Sequence, residues 1–158
     1  MAKYKTTDKI ETFDFSDSVI SSVVKNLNTL TIYLDNVTIL ESNEHNREIW
    51  DMRSNGVCVE FQNADIDSVI IEGYKLYDAN EQLTDIVEDT IVPVSDYNDV
   101  FEDLAEAPVF SLKGFKEENT NYFTYEINAD GEDNAYCINF HAAHNLVSWD
   151  RFLKKSDN

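Results

Sequence analysis

The sequence predicts a mainly β domain, an antiparallel sheet or β-sandwich with one or two short helices. Two observations carry that prediction. The first is a repeated strand pattern: L-T-I-Y-L-D-N-V-T-I from Leu30 to Ile39 returns 27 residues later as V-C-V-E-F-Q-N-A-D-I from Val57 to Ile66. Leu30, Ile32, Leu34, Asn36, Val37 and Ile39 map onto Val57, Val59, Phe61, Asn63, Ala64 and Ile66. Each copy alternates apolar with other residues, the period of a strand buried on one face, then slips phase by one at its Asn. A slip of one marks a β-bulge or tight corner, and Asn tolerates the left-handed backbone such places require. Tyr136-Cys137-Ile138-Asn139-Phe140, with Ala142 and Ala143 following, is a weaker third echo. The irregular spacing is not that of a solenoid, so the copies read as strands of one sheet system. The second observation is turn chemistry. Asn55-Gly56 and Asp130-Gly131 fall between apolar runs, where hairpin turns belong.

In chain order, residues 1–12 are polar and read as an irregular or edge segment. Two structures compete for F-D-F-S-D-S-V-I-S-S-V-V-K-N-L-N from Phe13. Val19, Ile20, Val23, Val24 and Leu27 lie at helical spacing behind a Ser16 or Asp17 cap, which would make the fold α+β. However, β-branched Val and Ile supply most of that stripe, and the segment runs straight into the Leu30 strand; an irregular strand is the preferred reading. After a polar loop at Glu41 to Asn46, Ile49-Trp50-Asp51-Met52 begins another strand. Asn55-Gly56 would pair it antiparallel with the Val57 strand. Ser68 to Tyr77 reads as a strand interrupted at Gly73. Pro93 and Pro108 bracket a short helix, in which Tyr97, Val100, Phe101 and Leu104 form the buried stripe and Ser95 or Asp96 can cap the start. Asp99, Glu102, Asp103 and Glu106 should then face water. Strands follow at Val109 to Phe115, Asn121 to Asn128 and Tyr136 onward. Trp149, Phe152 and Leu153 should fold back on the sheet, with the last few residues frayed.

A chain of 158 residues suits one domain with a single core. Met1 to Lys5 carries charge without an apolar run behind it, and no stretch has the length of a membrane span, so a soluble, cytoplasmic protein is expected. Cys58 and Cys137 lie 79 residues apart outside any C-x-x-C pattern. Reduced thiols are expected, with a bridge feasible only between adjacent strands.

Charge is the dominant compositional signal: 31 acidic against 12 basic residues give a formal charge of −19. Nucleic acid and anionic membrane are disfavoured partners. Between Lys75 and Lys113 there is no Lys, Arg or His, while ten Asp and Glu residues fall there. A solvated face that maintains solubility is the bland account. The sharper one is a surface, represented by Asp96, Asp99, Glu102, Asp103 and Glu106, that steers a basic protein partner and speeds association by about 10 to 1000-fold at low salt.

Most catalytic and cofactor chemistry finds no foothold. The four glycines are isolated, which argues against a phosphate-cradling loop, and no G-x-S-x-G elbow occurs. No cofactor and no catalytic residue is assigned. His141 and His144, three apart on a strand, point to opposite faces, which leaves Cys58, Cys137 and His141 as the alternative candidate metal site. Glu126 to Gly131 suggests a calcium loop until Cys137 falls where a bidentate Glu belongs, so a hairpin turn is the better account.

Phe15-Ser16-Asp17-Ser18-Val19-Ile20-Ser21-Ser22-Val23, followed by Leu30-Thr31-Ile32-Tyr33-Leu34, resembles the opening of several small bacterial β-rich families. Among them are immunity proteins of polymorphic toxin systems and neighbouring domains of unknown function. Val59 to Asn63 and Ile71-Glu72-Gly73-Tyr74 are similar to later segments of those families. The resemblance covers the first half of the chain and implies a cytoplasmic protein that binds and blocks a toxin of its own strain. It assigns no inhibitory residue. The expectation is therefore a non-enzymatic, acidic protein-binding domain. The rivals are a self-assembling structural protein, using edge strands and Tyr33, Tyr74 and Tyr77, and a metal-dependent protein using the Cys137 and His141 region.

Overall fold

The computed structural model describes residues 2–116 and 121–154. The frayed end expected from sequence lies outside them. The strands are, in order, β1 (Tyr4–Thr7), β2 (Phe13–Asp14), β3 (Val19–Asn26), β4 (Thr29–Asp35), β5 (Val37–Ile39), β6 (Met52–Ser54), β7 (Val57–Gln62) and β8 (Asp65–Ile71). They continue as β9 (Tyr74–Tyr77), β10 (Leu83–Val87), β11 (Thr90–Ile91), β12 (Val109–Lys116), β13 (Phe123–Asp130), β14 (Ala135–Ala142), β15 (His144–Trp149) and β16 (Leu153–Lys154). Among the described residues there is one α-helix, α1 (Tyr97–Asp103), which precedes β12.

The protein is mainly β. One five-stranded sheet has the order β1-β15-β7-β4-β3, and a second has β11-β8-β14-β13-β12. A smaller sheet, β16-β6-β5-β2, contributes Phe13, Val37 and Ile39 to the same contiguous core, while β9 and β10 form a separate two-stranded ribbon. Each inward-pointing set is the one its alternation predicts: Leu30, Ile32 and Leu34 from β4, and Val57, Val59 and Phe61 from β7, are all buried. Among the described residues, no helix is long and apolar enough to cross a membrane.

The two Asn phase slips are chain corners. Asn36 (φ 58°) turns β4 out of the first sheet into β5, and Asn63 (φ 52°) turns β7 into β8 of the second five-stranded sheet. In both places the left-handed backbone redirects the chain without reversing it. Asn55-Gly56 does the same, which corrects the hairpin expected there. β6 pairs with β5, and β7 pairs with β4, so these four strands form one long antiparallel pair bent across two sheets. Of Asn55 and Gly56, the glycine alone takes a positive φ, at 64°, and the corner is clasped by side chains. The Asn36 N–H donates to Asn55 Oδ1 at 2.8 Å, and the Gly56 N–H donates to Asp35 Oδ1 at 2.8 Å. A strong turn signal reports positive φ; whether the chain reverses or swerves depends on partners far away in sequence.

A second bent pair crosses between the two five-stranded sheets. β7 pairs with β15 in one, and β8 pairs with β14 in the other. Phe61 and Phe140 meet near this crossing with Tyr125: Phe61 stands edge-on to both rings at 4.7 Å, and Tyr125 stacks on Phe140 at 5.0 Å. Fully burying one such Phe stabilises the fold by about 1.5–3 kcal/mol. The Tyr125 hydroxyl accepts the Asn145 Nδ2–H at 2.7 Å. Burial pushes the Tyr125 phenol up to about 12, with the Asp8 and Glu11 carboxylates acting in the same direction and Asn145 opposing them.

Other expectations resolve simply. Residues 19–26 are strand, with the anticipated irregularity between Ile20 and Ser22. Trp149 is buried in β15, and Phe152 packs against the core. Ile49 and Trp50 are exposed, and their strand begins only at Met52. Ser68 to Tyr77 is not one strand: at Gly73 the chain leaves the sheet, and β9 pairs with β10 instead.

Candidate functional site

The helical stripe of the acidic middle is buried as its spacing requires, with Val100, Phe101 and Leu104 in the interior. A turn of 3₁₀ helix, Val94–Asp96, leads into α1, and no side chain caps its first amides, contrary to the Ser95 or Asp96 cap expected from sequence. The chain arrives at Tyr97 already coiled, so the Asp96 side chain is left to point elsewhere.

That side chain helps line a cleft of about 410 Å³ between α1 and the β11-β8-β14 side of the second sheet. Its apolar wall is Ile71, Val92 and Val100, and its carboxylates are Asp96, Asp99, Asp103 and Asp133. Asp96, Asp99 and Asp133 are exposed. Asp103 is not the water-facing residue expected, because it is half-buried and occupied: Oδ2 accepts the Tyr136 hydroxyl at 2.5 Å, and Oδ1 accepts the Glu132 N–H at 3.0 Å. It fastens the helix to the β13–β14 turn. Burial, followed by the hydrogen bond to Asp103, pushes the Tyr136 phenol above its usual range.

Of the five acidic residues singled out by sequence, the structure gathers Asp96, Asp99 and Asp103 and separates the other two. Glu102 lies on the far side of α1, in a groove shared with Val24 and Lys25 of β3. Glu106 is exposed just past the helix at φ 67°, where its N–H donates to the Ile20 carbonyl at 2.7 Å. Asp133 was missed. Its only sequence signal is the acidic run Glu132-Asp133 after a turn, which says nothing about the helix it approaches.

The Cys and His region is dispersed. Cys58 lies on β7 and Cys137 on β14, in different sheets, and both thiols are free. Burial first, then the carboxylates Glu60 and Glu126 respectively, pushes both thiols up, so each is less ionised at neutral pH than an ordinary cysteine. His141 Nδ1 sits 2.9 Å from Asp67 Oδ1, while His144 Nδ1 sits 2.8 Å from Asp8 Oδ2. Cys58, Cys137 and His141 are therefore not brought together. Among the described residues, no group of three or more His, Cys, Asp or Glu side chains has the geometry of a metal site.

Chemically, the cleft combines an apolar wall with carboxylates at its edge. A lysine or arginine side chain has the complementary build, an apolar stem ending in a cation. Comparison with known proteins leaves the resemblance to immunity proteins resting on its sequence segments alone, since no protein family, no curated protein and no solved structure matches this chain.

Proposed function

We propose that the chain is a non-enzymatic binding domain for a basic protein, with neutralisation of a basic toxin as one concrete form of that role. The observation that carries the proposal is the cleft beside α1. Asp96, Asp99 and Asp133 stand exposed around a wall of Ile71, Val92 and Val100, in a chain of formal charge −19. Carboxylates beside apolar surface suit Lys or Arg anchors, and the surrounding negative field favours their approach. Toxin neutralisation draws its further support from the sequence segments that resemble immunity proteins.

The test uses the tagged full chain in an extract of its native host, washed at low and high salt and read by mass spectrometry. The proposal expects one basic protein in stoichiometric amount, retained less well at high salt. With that partner purified, Asp96→Asn/Asp99→Asn should slow association by about tenfold, because charges near an interface act mainly on the on-rate. For the immunity form, the partner should be toxic when expressed without this chain. Salt-independent retention, or a partner without basic character, would refute the proposal.

A further inference from the structure

Resting on that reading, we infer that the β9–β10 arm is the principal docking element for the basic partner, inserting apolar side chains between the partner's cationic groups. In the arm, Tyr74 opposes Val87, Leu76 opposes Asp85, Lys75 opposes Ile86, and Tyr77 opposes Leu83. Opposed residues share a face, so one face carries Tyr74, Leu76 and Val87 and the other carries Tyr77, Leu83 and Ile86. A solvated hairpin would place its apolar residues on one face against a core. Here apolar residues stand on both faces, beside Asp85 on the first and Lys75 on the second, and both faces are open: Tyr74 is 57% exposed, Tyr77 59%, Leu83 50% and Ile86 49%. Two-stranded ribbons standing alone are marginal in water, so a covering surface would stabilise this one.

The base of the arm is fixed. A Cβ on Gly73 would lie 2.0 Å from the Val87 carbonyl oxygen, and the Gly73 N–H donates to Asp89 Oδ1 at 2.6 Å. The chain crossing is so tight that only glycine fits. Ile71 and Thr90, which flank this base in the chain, line the acidic cleft with Ile91, so the arm leaves the domain beside the cleft.

Charge selects the occupant. Residues 72–89 contain six acidic side chains, Glu72, Asp78, Glu81, Asp85, Glu88 and Asp89, against the single base Lys75. A second copy would bring the same charges into contact, whereas a basic surface would neutralise them.

The test is selection of a phage-displayed random dodecapeptide library on the whole chain. It is run in parallel on the variant Tyr74→Ser/Leu76→Ser/Tyr77→Ser/Ile86→Thr, whose fold is checked by circular dichroism. The inference expects peptides that mix apolar residues with Lys or Arg, bound by a monomer and weakened about tenfold or more on the arm variant. Basic peptides bound equally by both proteins would overturn the arm's role and leave the proposed function standing. A selection without basic enrichment, or an empty one, would overturn both. A dimer in sedimentation velocity that the arm variant loses would place a second copy on the arm and overturn the inference.

Discussion

The β7 strand and the β9–β10 arm are built from similar material and have opposite fates. In V-C-V-E-F-Q, every second residue is apolar, and Val57, Val59 and Phe61 are wholly buried while Cys58, Glu60 and Gln62 lie outward. In Y-K-L-Y and L-T-D-I-V, apolar residues occupy both faces, and every residue of both strands is exposed. Alternation gives a strand one face to bury and one to hydrate, so one covering layer suffices. The arm has two faces to cover and the domain covers neither, which is why we assign it to a partner.

That contrast predicts a wide separation in stability effects. Phe61→Ala empties the centre of the aromatic trio and should cost about 3–5 kcal/mol in urea unfolding. Gly73→Ala, at the joint between the regions, should cost roughly 1–3 kcal/mol or displace the arm, because its Cβ meets backbone atoms that have no side-chain freedom to retreat. The four-residue arm variant, by comparison, should change unfolding only by about 0.5 kcal/mol per site. A loss like that of Phe61→Ala would mean the arm is already packed.

Tyr125 offers a test of the core by pH. Its phenol is raised from 10.0 to about 12, so the folded state favours the protonated form. The stability it contributes is fully present below about pH 10 and is lost as pH rises through about 12, a difference of roughly 2–3 kcal/mol. Tyr125→Phe should flatten that part of an alkaline unfolding profile. The smallest expected effect concerns the thiols: both should react with iodoacetamide at pH 8 a few-fold more slowly than the same cysteines in urea.

The sequence revealed local geometry better than long-range geometry. The repeat located both Asn corners, because a phase slip and a residue that tolerates positive φ are adjacent signals. The buried stripe of α1 was equally legible. The pairing of β6 with β5, the departure of β9 at Gly73 and the approach of Asp133 to α1 were not, since each depends on residues distant in the chain. Asp103 shows the same limit within the site. Its acidity was plain, but the Tyr136 hydroxyl that occupies it comes from β14, 33 residues further along the chain.

Hydrogen exchange on the free chain, and on the chain bound to the selected basic peptide, tests the central claim most directly. We expect amides of Tyr74–Tyr77 and Leu83–Val87 to exchange orders of magnitude faster than those of β7 and β14 in the free chain, and to become protected on binding. Arm amides as slow as those of β7 before any peptide is added, or unchanged after it binds, would contradict the claim.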